Sequence, residues 1–141
     1  MNDINIENYK ELLLKLVEKS NNLKEIPVGS IVICNNKVIG KGFNNRQSTK
    51  NVCGHAEINA ILEAERCIGD WRLDDCYLIS TLKPCEMCYK VIKEARISNV
   101  YYILDQNCSY SDELIKKVEV DNSFYNTLSN ILNDFFINLR K

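Results

Sequence analysis

Two short stretches carry residue types that could do chemistry: Gly54-His55-Ala56-Glu57, and further along Thr81-Leu82-Lys83-Pro84-Cys85-Glu86-Met87-Cys88. Together they offer one imidazole and two thiolates to a metal ion, with a carboxylate two residues beyond the imidazole. Three protein ligands leave the fourth position of a tetrahedral zinc ion open, which separates a catalytic centre from a closed structural one. The Glu57 carboxylate would then be free to move protons. Cys85 and Cys88 fall three apart at the start of an expected helix, so their sulfurs share one face and can reach one ion. That helix start adds unpaired backbone N–H groups and partial positive charge, which stabilise thiolates and offer a donor to an oxygen gaining negative charge. Taken alone, C-x-x-C also fits a redox pair, and a lone histidine also fits a structural role. The combination is narrower. His55 is the single histidine of the chain, and a redox reading leaves His55-x-Glu57 without a task. Cys53, two residues before His55, could approach the metal, but a fourth protein ligand would close the site to water.

The elements that must position these residues follow from periodicity. Apolar residues at Ile6, Tyr9, Leu12, Leu13, Leu16 and Val17 have helical spacing, predicting a helix from Ile6 to about Lys24 with Asn5 as its cap. Val28 to Cys34 and Lys37 to Phe43 are expected strands joined by a tight Asn35-Asn36 turn, since asparagine tolerates positive φ. Gly40 and Gly42 admit either a close backbone approach to a ligand or a bulge at a strand end. A polar loop runs from Phe43 to Cys53. A second helix is expected from His55 to Cys67, ended by Gly69, then a strand from Cys76 to Thr81 stopped by Pro84. Cys85 to Arg96 predicts a third helix and Val100 to Leu104 another strand. Asp105 to Ser111 is expected as loop, Asp112 to Lys117 as a short helix, and Asn122 to Leu139 as a closing helix. This order implies an α/β fold, a sheet between two helical layers with parallel crossover strands.

A chain of 141 residues fits one domain, 1–141, without repeats, linkers or low-complexity segments. No apolar run approaches the ~20 residues needed to span a bilayer, so no membrane contact is expected. The polar start Met1-Asn2-Asp3 lacks the order of a secretory signal, and a cytoplasmic location is expected. Seven unevenly spaced cysteines suit a reducing compartment better than a disulfide framework. Cys34, Cys67, Cys76 and Cys108 are expected as small buried hydrophobes. The net charge of −1, from 18 basic and 19 acidic side chains, excludes the overall basic excess usual in nucleic-acid binders. Any RNA contact must use a local patch, for which Lys116-Lys117, Arg140-Lys141, Arg46 and Lys50 are candidates.

The arrangement H-x-E with P-C-x-x-C is the mark of zinc nucleobase deaminases. At these residues the chain resembles the cytidine deaminase-like superfamily, and within it looks most like the bacterial tRNA adenosine deaminases. Further matches are Ile26-Pro27-Val28-Gly29-Ser30, Gly40-x-Gly42-x-Asn44, Trp71-Arg72-Leu73, Ala95-Arg96-Ile97 and Phe135-Phe136, so the likeness spans nearly the whole chain. The resemblance implies a three-layer α/β/α fold around a mixed sheet of about five strands. It implies one zinc per chain on His55, Cys85 and Cys88, with Glu57 shuttling protons. Asn44 would hydrogen-bond the base, Ile26, Ala56 and Pro84 would line its pocket, and the Cys85 backbone N–H would face the nascent charge. The implied reaction is adenosine to inosine at the wobble position of a tRNA anticodon stem-loop, performed by a homodimer. A deaminase of a free base, nucleoside or nucleotide (cytosine, guanine or deoxycytidylate type) is the near alternative, and a non-catalytic zinc-binding module the distant one. The chain departs from the family pattern at Lys83, usually glutamate, at Cys53-Gly54, at Tyr89-Lys90 and in a shorter segment after Asp105.

Overall fold

Alternation along the strands sorts the apolar side chains into two layers. The computed structural model describes residues 5–110 and 112–139, and its sheet has the strand order β2-β1-β3-β4-β5. β1 (Gly29–Cys34) pairs antiparallel with β2 (Lys37–Phe43) and with β3 (Cys76–Leu82). β4 (Asn99–Leu104) and β5 (Ile115–Lys117) then continue the sheet in parallel. Ile31, Ile33, Ile79, Tyr101 and Ile103 pack into one core, whereas Val32, Leu78 and Val100, their neighbours in sequence, pack into the other. A period of two leaves no other choice once both faces are covered.

Helices cover both faces. α1 (Lys10–Asn22), entered through a 3-10 turn at Ile6–Tyr9, and α5 (Asn122–Leu139) close the first core with Leu13, Leu16, Phe124 and Leu128. α3 (Ala56–Ile68) and α4 (Glu86–Glu94) close the second with Ala60, Ile61, Ala64 and Ile92. Each fully buried Leu or Ile contributes about 1.5–3 kcal/mol, so the two apolar stripes hold the helices to the sheet. This is the expected α/β/α arrangement with a mixed sheet. Asn35 (φ 52°) and Asn36 (φ 63°) form the tight turn as predicted, and Gly69 ends α3 at φ 74°.

Local details differ. Asp112 to Lys117 is not a helix: Ile115, Lys116 and Lys117 pair with Val100, Tyr101 and Tyr102. Ladder bonding to the exposed edge of β4 outweighs the local helical spacing. The polar loop after Phe43 contains one helical turn, α2 (Arg46–Thr49). The third helix stops at Glu94, because Arg96 adopts φ 65°. Asn5 precedes the 3-10 turn but makes no side-chain cap bond, while Asp121 Oδ2 accepts the Phe124 N–H at 3.1 Å and caps α5. Among the cysteines expected to be buried, Cys76 is, Cys34 and Cys108 are partly exposed, and Cys67 is exposed.

Gly40 and Gly42 have a clear physical role. A Cβ on Gly42 would stand 2.1 Å from the Ala56 carbonyl oxygen, and one on Gly40 would stand 2.1 Å from that of Ala60. The close approach is therefore to α3, and a register shift in the β1–β2 pairing lies beside it between Val32 and Ile33. Since Ala56 separates His55 from Glu57, these glycines set the height of both side chains above the sheet. Gly42→Ala is expected to destabilise the fold by about 1–3 kcal/mol, because a backbone carbonyl cannot swing aside as a side chain can. Thermal unfolding checks this, and an unchanged midpoint contradicts it.

Candidate metal centre and active site

Two helix N-termini bring the sequence-predicted ligands together. Cys85 is the N-cap of α4 (φ −71°, ψ 171°), so the chain leaving β3 turns into the helix at the first cysteine. Cys88 follows one turn later, fully buried. His55 is the N-cap of α3 with the same extended backbone (φ −93°, ψ 145°). The ligand atoms of His55, Cys85 and Cys88 all lie within 4.8 Å of one another, and His55 Nδ1 is 3.8 Å from Cys85 Sγ. Tetrahedral bonds of about 2.0–2.3 Å place ligand atoms roughly 3.5–4 Å apart, so this spacing and this nitrogen-and-sulfur donor set fit zinc. Neither the exposed Cys53 nor Glu57 belongs to the group.

The protein's own electrostatics single out one thiolate. Cys85 is lowered to about 4, first by the hydrogen bond from Cys88 and then by that from His55. Cys88 is pushed up by the same bond and by burial, and His55 is raised chiefly by its bond to Cys85. Glu57 is only 4% exposed, and burial pushes its carboxyl up to about 7, with its own backbone N–H opposing. A buried carboxyl of that kind holds or releases a proton near neutral pH, as an acid/base group must.

Beside the cluster lies a cavity of about 330 Å³, lined among others by Ile26, Asn44, Arg46, His55, Phe135 and Phe136. Asn44 is held at both ends: its Oδ1 accepts the Ala56 N–H at 2.7 Å, and its Nδ2 donates to the Ile26 carbonyl at 3.0 Å. An amide has two N–H donors, so one is uncommitted in these bonds. Ala56 and Pro84 are both buried. Neither is among the residues lining the cavity: Ala56 donates its backbone N–H to Asn44, and Pro84 directly precedes Cys85, the N-cap of α4. Of the basic candidates, Arg46 lines the cavity and Lys50 lies exposed just beyond α2. Lys116 and Lys117 lie exposed on β5, while Arg140 and Lys141 are outside the described residues.

Residues 3–104 match the profile of the cytidine and deoxycytidylate deaminase zinc-binding region. The chain belongs to this deaminase family. Zinc is accordingly the metal that the His/Cys/Cys cluster fits. A tRNA-specific adenosine deaminase of Streptococcus pyogenes serotype M18 is 43% identical over 94 residues, covering 67% of this chain and 59% of the relative. The match thus spans somewhat under two thirds of that relative's length. A structure from work on A-to-I editing by tRNA:A34 deaminases at the wobble position of transfer RNA superposes with a TM-score of 0.73. It is 25% identical and covers 82% of this chain and 100% of that one. Guanine deaminase from Bacillus subtilis superposes with a TM-score of 0.66 at 31% identity, covering 72% of this chain and 66% of that one.

Two further residues around the candidate site act on groups distant in sequence. Glu25, 4% exposed, accepts the N–H groups of Gln47 (3.2 Å) and Ser48 (2.8 Å) on its two carboxylate oxygens. It holds the first turn of α2 from a separate segment. Asn59 donates from Nδ2 to the Phe43 carbonyl and to Asn45 Oδ1, each at 2.9 Å, tying α3 to the same loop. A charged residue next to Ile26-Pro27 is the faint sequence signal for the first; the signal for the second is its place in His55-Ala56-Glu57-Ile58-Asn59-Ala60, though not the bonds it makes.

Proposed function

We propose that this deaminase converts adenosine to inosine at the wobble position of a tRNA anticodon, as a single domain over residues 1–141 with one zinc ion per chain. His55, Cys85 and Cys88 would hold the ion. When bound, zinc supplies the Lewis acidity that makes water a nucleophile near neutral pH. Glu57 takes the proton that water gives up and passes it to the ring nitrogen beside C6, and it assists the departing amine, so that water and adenosine yield inosine and ammonia. Asn44, fixed by Ala56 and Ile26, points its remaining N–H at an acceptor on the base. The Cys85 N–H, at the positive end of α4, faces the charge that develops during attack.

Support comes chiefly from one observation: the cavity that His55 shares with Asn44, Ile26 and two phenyl rings of α5. A flipped-out base needs a ligand group at the floor, a polar contact at its edge and an aromatic surface to stack on. The curated relative's name and the tRNA:A34 structure point to adenosine in tRNA. We place the enzyme in the cytoplasm, where its unpaired cysteines stay reduced. We expect a homodimer, for which exposed Val52, Leu62 and Ile68 offer apolar surface. Among the described residues no helix is long and apolar enough to cross a membrane.

The test is incubation of zinc-loaded protein with anticodon stem-loops carrying adenosine at the wobble position, with inosine quantified. Inosine is expected; its absence across a full set of tRNAs contradicts the proposal. The likeness to guanine deaminase favours a second reading, a free purine base as substrate. Ammonia released from guanine, with no inosine from RNA, would select that reading.

A further inference from the structure

The segment following β4 is fastened to the two carbonyls that precede Cys85. Gln106 Nε2 donates to the Lys83 carbonyl. Tyr110 Oη donates to the Pro84 carbonyl, and the Cys108 thiol approaches the same oxygen at 3.5 Å. Ser109 Oγ donates to Glu86 Oε2 at 2.7 Å. The Tyr110 ring stacks on that of Tyr89 with centroids 4.1 Å apart and planes 8° apart, and Lys83 Nζ lies 5.3 Å from its centroid. The Tyr89 hydroxyl in turn donates to the Asp112 carboxylate.

A peptide unit is rigid, planar and, here, trans, so its C=O and the next N–H point in opposite directions. Whatever fixes the Pro84 oxygen therefore fixes the direction of the Cys85 N–H. Two donors on one oxygen occupy both lone pairs and hold the peptide plane, and they polarise the amide so that its N–H donates more strongly. Among the described residues no acceptor takes the Cys85 N–H.

We propose that Tyr110 and Cys108 are positioning residues for the Cys85 backbone N–H, acting across the Pro84–Cys85 peptide from the side away from the substrate. This rests on the reading of that N–H as a donor to developing charge. Neither side chain need touch the reacting atoms. The stacking on Tyr89 sets the Tyr110 ring, and the hydroxyl then sets the peptide.

Tyr110→Phe keeps the stacked ring and removes the donor, and Cys108→Ala removes the weaker one. In the zinc-loaded 141-residue chain, Tyr110→Phe is expected to lower kcat about tenfold, less than deleting a charge-stabilising donor outright, with KM and zinc content unchanged. Cys108→Ala should fall between it and wild type. The Cys85 amide nitrogen resonance, read by NMR without substrate, should shift in both variants, since it senses hydrogen bonding at the preceding carbonyl. An unmoved resonance overturns the proposal, as does an unchanged kcat. A kcat loss matched by equal loss of zinc also overturns it, by making the segment a staple of the metal turn alone. Because the resonance needs no substrate, and the kcat comparison can be run on stem-loop or free purine alike, an error in the assigned substrate shows separately.

Discussion

Glu57→Gln is expected to lower kcat by about 10²–10⁴-fold, the usual contribution of a positioned acid/base group, while zinc content and the unfolding midpoint stay near wild type. The substitution is nearly isosteric, and Glu57 lies outside the group of ligand atoms, so the metal cluster has no reason to disperse. A glutamine in the same buried place can still hydrogen-bond but cannot accept a proton and return it. Substrate affinity should change by no more than a few-fold, because the cavity walls at Ile26, Asn44 and Phe135 are untouched. Single-turnover inosine formation together with zinc quantification checks this. Retained turnover in the variant would remove Glu57 from the mechanism, and loss of zinc would make it a ligand.

Cys88→Ala is expected to empty the centre. Cys88 is fully buried, one helical turn beyond Cys85, and its sulfur is one of three ligand atoms within 4.8 Å. Zinc content should fall to near zero and activity with it. Ligation also couples metal to folding: at a free zinc concentration of 1,000 times Kd the ion contributes about 4 kcal/mol of stability, all lost in the variant. A strong chelator should lower the wild-type unfolding midpoint and leave that of Cys88→Ala unmoved. The exposed Cys67 is the natural control, and Cys67→Ala should keep full zinc. Full occupancy in Cys88→Ala contradicts the assignment.

How much of this was legible in the sequence depends on where the deciding interaction lies. Layers were legible because burial repeats every two residues in strands and every three or four in helices, as Ile31/Val32 and Leu13/Leu16/Val17 show. The Asn35-Asn36 turn was legible because positive φ is a local property. His55, Cys85 and Cys88 could be nominated from their types and spacing, but their meeting required two helix starts to converge, which only the sheet order provides. β5 is not legible locally because Ile115 is held by Val100 on another strand, a contact that local spacing does not contain. Glu25 and Tyr110 are illegible in the sequence for the same reason: both bond backbone groups distant in sequence, at Gln47 and Pro84. Composition places Cys67 inside because cysteine is usually buried, yet it stands exposed near the end of α3, a matter of helix orientation that residue type does not contain.

X-ray absorption at the zinc edge of the loaded protein reaches the centre most directly. The geometry predicts two sulfur neighbours at about 2.3 Å and one imidazole nitrogen at about 2.0–2.1 Å. Three or more sulfurs, as if Cys53 or Cys108 had joined, or a shell without imidazole, would contradict a three-ligand centre with a position left for chemistry.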